Sequence, residues 1–107
     1  MFFKNEEALV KNPAEGVVLK VVSYGGGLMM TEVTFNKGIS LPPHTHVHEQ
    51  ISYIAKGSFQ FTLGEETKVV KQGDSIYIPS NIPHCVTALE DAVVVDAFTP
   101  QREDFKK

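Results

Sequence analysis

Runs of Val, Ile, Thr and Phe of at most about eight residues, cut by Gly, Pro, Asn and Asp at intervals of about 8 to 12 residues, constrain this chain more than anything else in it. No long helical period interrupts them. Val17 to Tyr24 reads as a strand ended by Gly25-Gly26-Gly27, and Leu28 to Phe35 as another ended by Asn36-Lys37-Gly38. Further strands are expected over Gln50–Ala55, Ser58–Leu63, Thr67–Lys71, Ser75–Ile78, His84–Leu89 and Val93–Phe98, about nine in all when the histidine-rich stretch before Gln50 is included. Phe59, Phe61 and Leu63 alternate with polar residues and so must share one face. Strands at this spacing suit an antiparallel sandwich or barrel, because closure removes the edges a flat sheet would expose. Helix or disorder is expected only in the first sixteen residues and in the charged tail Gln101–Lys107.

With 107 residues, 42% of them apolar, the chain has room for one core and one domain, residues 1–107, its barrel centred on about 17–99. A domain of this size needs no disulfide or metal as a staple, and the lone Cys85 cannot form an intrachain bridge. Cys85 is read as a small buried hydrophobe. The net charge of −3 and the scattered Lys and Arg give no footprint for a phosphate backbone, so no nucleic-acid partner is expected. No apolar stretch approaches the roughly 18 residues of a membrane span, and the charged N-terminus lacks the pattern of a signal peptide. The expectation is a cytoplasmic protein without a membrane partner.

Four histidines stand out: His44, His46 and His48 within five residues, and His84 in a separate segment flanked by Pro79 and Pro83. In a strand His44, His46, His48 and Gln50 would have equal parity and point to one side. Two imidazoles two residues apart can reach one ion, and ligands from other strands can complete the set. Glu49 has the wrong parity.

The wider spacing carries a resemblance. Gly38, five residues, His44, one residue, His46, three residues, Gln50, six residues, Gly57 is similar to the first motif of the cupin superfamily, with Gln in place of the usual Glu. Gly73, five residues, Pro79, one residue, Asn81, two residues, His84 is similar to the second, with Asn81 for the usual Gly and Ala88 for the usual Asn. The resemblance implies an all-β antiparallel double-stranded β-helix, or jelly roll, and a homodimer. It further implies one divalent transition metal ion, Zn, Ni, Mn, Fe or Co, held by His44, His46, Gln50 and His84. Neutral imidazoles and a neutral amide would leave the ion's charge uncompensated, which suits an anionic substrate and departs from the two-His-one-carboxylate arrangement of non-haem iron oxygenases.

Among cupins the chain most resembles the pectin degradation protein KdgF family. The likeness rests on Met1-Phe2-Phe3, Leu28-Met29-Met30, His44-Thr45-His46-Val47-His48-Glu49-Gln50 and the closing Asp96-Ala97-Phe98-Thr99-Pro100-Gln101-Arg102-Glu103-Asp104-Phe105. It implies ring opening of 4,5-unsaturated monouronates from pectin or alginate to linear keto sugars. The metal would serve as Lewis acid, Asp96 would move the proton, Arg102 would hold the substrate carboxylate as a bidentate pair and Phe98 would stack on the sugar. His48 is expected to contact substrate or support the ligands. Two other readings stay open: a different metal-dependent cupin enzyme, such as a dioxygenase or sugar-acid isomerase, and a cupin that binds a small anion without chemistry.

Overall fold

The computed structural model describes residues 1–107 as ten strands with two short 3-10 turns, Asn5–Glu7 and Glu103–Lys106. The strands are β1 (Leu9–Ala14), β2 (Val17–Gly25), β3 (Leu28–Phe35), β4 (Ser40–His44), β5 (Glu49–Lys56), β6 (Ser58–Leu63), β7 (Glu66–Lys71), β8 (Ser75–Ile78), β9 (His84–Ala88) and β10 (Ala92–Thr99). They form a six-stranded sheet, β1-β2-β3-β10-β5-β8, and a four-stranded sheet, β4-β9-β6-β7. All the pairings are antiparallel, which is the expected jelly roll. No helix is long and apolar enough to cross a membrane.

Two segments differ from the sequence reading. Leu9–Ala14, expected as helix or disorder, pairs with β2 and forms a sheet edge. Pro13 is tolerated there because an edge strand has one side free of ladder bonds. The histidine stretch is not one strand either. β4 ends at His44, β5 starts at Glu49, and Thr45–His48 run between them outside any strand. The prolines Pro42 and Pro43 keep β4 short, at the edge of its sheet.

Register turns the inner face of the larger sheet into layers. Val17, Phe35 and Ala92 lie across from one another at one end, followed by Leu19, Val33, Val94 and Ile54. The third layer is Val21, Thr31, Asp96, Ser52 and Ile76, and the fourth is Met29, Phe98, Gln50 and Ile78. The first two are wholly apolar and buried. Across the sandwich Phe35 meets Phe59 of β6 edge-on, ring centroids 5.1 Å apart, closing that end of the core. Phe59 and Phe61 share the inner face as expected, with Leu63 half-buried beside them. Polarity enters only in the third and fourth layers.

The glycine that closes the first motif has a steric reason. Gly57 joins β5 to β6 at φ +76°, and a Cβ there would sit 2.6 Å from the Asp91 carbonyl oxygen and 2.8 Å from the Ala92 Cβ. Only glycine fits, which holds the β5–β6 turn against the start of β10.

Candidate metal centre and its cavity

A cavity of about 280 Å³ opens into the sandwich at the polar end. Its inner wall is apolar, with Leu19, Val33, Phe35 and Val94, while Gln50, Asp96, His84 and Arg102 face it from the polar side.

His44 and His84 come together because β4 and β9 pair with these two residues opposite each other, and their rings stand 4.2 Å apart. His46 arrives from the loop. The backbone N–H of Asn81 donates to the His46 carbonyl at 2.8 Å, tying that loop to the Pro79–Pro83 segment that also aims His84. Asn81 does this at φ +63°, where Asn substitutes for the usual glycine at least penalty. One ligand atom from each of His44, His46 and His84 lies within 4.8 Å of the others. Gln50, buried on the inner face of β5, places Oε1 2.9 Å from Nε2 of His46.

The hydrogen bonds show that this set fits a cation. Nδ1 of His46 faces the His48 carbonyl at 3.0 Å, Nδ1 of His84 the Ile82 carbonyl at 2.9 Å and Nδ1 of His44 the Pro42 carbonyl at 3.4 Å. A carbonyl only accepts, so each Nδ1 carries a proton, and each ring in its neutral form presents its Nε2 lone pair to the cluster. Gln50 Nε2 donates to Ser52 Oγ at 2.9 Å, and Ser52 Oγ donates to Asp96 Oδ1 at 2.6 Å. With the His46 ring neutral, Gln50 Oε1 and His46 Nε2 meet as two acceptors. A cation between them resolves that conflict, and two ligand atoms at about 2.1 Å from one ion would stand about 3 to 3.4 Å apart. Nε2 of His84, buried without any partner, points to the same need. Burial also lowers the pKa of His44 and takes that of His84 down to about 4, so both rings stay neutral and ready to bind.

Asp96 sits in the third layer, buried, one step from Gln50. Burial pushes its carboxyl up to about 6, against hydrogen bonds from Ser52 and Gln50 and the charge of Arg102. Asp96 and Phe98 face the cavity together, as their parity requires.

Arg102 reaches back from beyond β10. Its guanidinium lies 4.2 Å from the centroid of Phe105 and 5.4 Å from that of Phe98. Asp104 takes its Nε and Nη2 at 3.2 and 3.0 Å. Asp104 thus occupies the Nε–Nη2 edge of the fork and leaves the Nη1–Nη2 edge free for an anion. Despite partial burial, which works upward, the hydrogen bonds and charge of Arg102 hold Asp104 below the usual carboxylate range.

His48 stands aside from the cavity wall. Its ring packs edge-on against His46 and Phe98, with centroids 5.4 and 6.5 Å away, and its Nδ1 is buried without a partner. This position favours support of those two side chains over direct contact with a ligand. Cys85 is only partly buried and forms part of the cavity wall beside His84, in place of the core position expected. Glu49 points outward, where it accepts a hydrogen bond from Tyr77.

Sequence reasoning missed Ser52, Asp104 and Phe105. Ser52 shares inward parity with Gln50 two residues earlier, and that was the one available signal. Asp104 and Phe105 stand in the closing motif, but they take no role there, because a charged tail reads as solvated.

A model of the cupin domain matches residues 31–98, more than half of the chain. The pectin degradation protein KdgF of Dickeya dadantii (strain 3937) is 36% identical over 106 residues, 97% of this chain and 96% of that protein. The structure of KdgF from Halomonas sp. superposes with a TM-score of 0.90 at 35% identity, covering 97% of this chain and 96% of the other. An RmlC-like cupin from Shewanella frigidimarina NCIMB 400 also gives 0.90, at 29% identity over 97% and 94% of the two chains.

Proposed function

The chain belongs to the cupin domain family, in the group of the pectin degradation protein KdgF, and from that membership we propose that it opens the ring of 4,5-unsaturated monouronates released from pectin or alginate. The observation that carries the reading is a buried acid, Asp96, joined through Ser52 to Gln50 beside three converging imidazoles, with Asp96, Ser52, Gln50, His44 and His84 lining one cavity. A divalent transition metal ion held by His44, His46, Gln50 and His84 would supply Lewis acidity for the oxygen that leaves the anomeric carbon.

The reaction is an isomerisation. The hemiacetal C–O bond of the ring breaks, the anomeric hydroxyl loses its proton, and the enol carbon gains one, so no co-reactant is consumed. A single group can take the first proton and deliver the second if its pKa lies near the working pH, and a carboxyl at about 6 meets that condition. Asp96 is therefore the proton carrier. Arg102 holds the substrate carboxylate through its free Nη1–Nη2 end, oriented by Asp104 and by the Phe98 and Phe105 rings. Phe98 presents its ring to the sugar. His48 steadies Phe98 and His46 from behind. Neutral metal ligands and Arg102 make a local positive centre for an anionic sugar in a chain whose net charge is −3.

The unsaturated uronate absorbs in the near ultraviolet through its conjugated enol carboxylate. Metallated protein is expected to accelerate the loss of that absorbance, and a rate equal to the spontaneous one would overturn the reading. A homodimer is part of the proposal, and sedimentation at the mass of a single chain would remove it.

A further inference from the structure

Asp96 has a hydroxyl on each side. Register places Thr31 of β3 and Ser52 of β5 directly across from it, both fully buried, at 0% and 1% exposure. The two are used differently. Thr31 Oγ1 has no hydrogen-bond partner and does not border the cavity. Ser52 Oγ makes two hydrogen bonds, accepting from Gln50 Nε2 and donating to Asp96 Oδ1.

While Asp96 is ionised, the direction of those bonds is forced. A serine hydroxyl has one proton, and an ionised carboxylate can only accept, so that proton goes to Asp96. The remaining lone pairs of Ser52 then require a donor, which turns the Gln50 amide so that its NH2 faces Ser52 and its oxygen faces His46. We propose that Ser52 is a positioning residue that sets two groups with one hydroxyl: it presents the oxygen of Gln50 to the cation and fixes the carboxylate of Asp96 toward the substrate. The second half rests on the reading of Asp96 as proton carrier; the first does not.

Three variants test it. Ser52→Ala lets the Gln50 amide turn over and the Asp96 carboxylate rotate. Titration of Zn2+ against a competing chelator is expected to show affinity about tenfold or more below that of the unaltered protein, as is usual when a ligand loses its supporting hydrogen bond. With metal saturating, kcat is expected to fall about tenfold or more while KM changes little. In D2O the unaltered protein is expected to place deuterium on one face of the former enol carbon, and Ser52→Ala to lose that selectivity. Ser52→Thr restores the hydroxyl and is expected to recover affinity, turnover and selectivity. Thr31→Val removes the idle hydroxyl from the same layer at nearly equal volume and is expected to leave all three unchanged.

Ser52→Ala with unaltered Zn2+ affinity and unaltered deuterium selectivity would overturn the proposal. So would losses of equal size in Thr31→Val, which would mark a general disturbance of the layer. Thermal melts of each variant separate misfolding from either result. If the unaltered protein has no effect on the uronate, the functional reading fails by itself, and the Zn2+ titrations still decide whether Ser52 orients Gln50.

Discussion

Two neighbouring layers of the larger sheet are built on the same four strands and face the same interior. Leu19, Val33, Val94 and Ile54 form one; Val21, Thr31, Asp96 and Ser52 stand in the next. Backbone geometry is shared between them, so the difference lies in the side chains alone. The first layer stabilises the fold by removing apolar area from water, about 25 cal/mol for each Å². The second places a carboxyl and two hydroxyls in the buried interior, and an unsatisfied or charged group there works against folding. Stability and chemistry are thus separated by two residues along each strand.

The strongest way to break this comparison is Asp96→Asn. Turnover is expected to fall by about 10² to 10⁴, the usual worth of a positioned acid-base group, with substrate binding retained. Stability is expected to move the other way. The folded pKa of Asp96 lies above its ordinary value, so its contribution is most favourable below pH 3.8 and is lost as pH rises through about 6. In chelator-treated protein Asp96→Asn should melt higher than the parent at pH 8, by about 2 to 3 kcal/mol, with the gap closing toward pH 4. Equal melting at pH 8 would mean that the carboxyl carries no burden.

Ile54→Ala is the matching change in the apolar layer. Ile54 is completely buried, and its truncation is expected to lower stability by about 2 to 5 kcal/mol in denaturant titration. Metal stoichiometry in the folded fraction should be preserved. A smaller effect is expected from Arg102→Lys, which keeps the charge but loses the fork: KM for the uronate should rise about tenfold with kcat nearly kept, measured by initial rates. An unchanged KM would free Arg102 from substrate contact. Thr31→Val comes last. Removing a buried hydroxyl without a partner should raise stability by about 1 kcal/mol, and a loss would show that Thr31 Oγ1 is satisfied after all.

The sequence made the strand rhythm and the convergence of three imidazoles and a glutamine legible because both are local patterns: alternation over a few residues, and fixed spacing around turns. Leu9–Ala14 escaped because its strand character comes from pairing with β2 and not from its own composition. The histidine stretch was read as one strand because equal parity is necessary for a shared face but not sufficient. A loop pinned by Asn81 produces the same convergence. Asp96 stood out as a charge among Val and Ala, whereas its partner Ser52 lies 44 residues away and becomes visible only through the β5–β10 register. Arg102 was found through the closing motif, but its restraint by Asp104 and Phe105 depends on how the tail folds back.

β10 is the last strand in chain order and yet lies in the middle of its sheet, the only bridge between β1-β2-β3 and β5-β8. Until it inserts, the six-stranded sheet exists as two separate pieces with open edges. Contacts this distant in sequence favour slow, all-or-none assembly. The same strand brings Asp96, so the barrel cannot close without acquiring its acid. His44, His46, Gln50 and His84 all precede it in the chain, and β10 sets Asp96 across from Ser52, one layer from Gln50. Completion of the sheet and delivery of the acid to the imidazole end of the cavity are thus a single event.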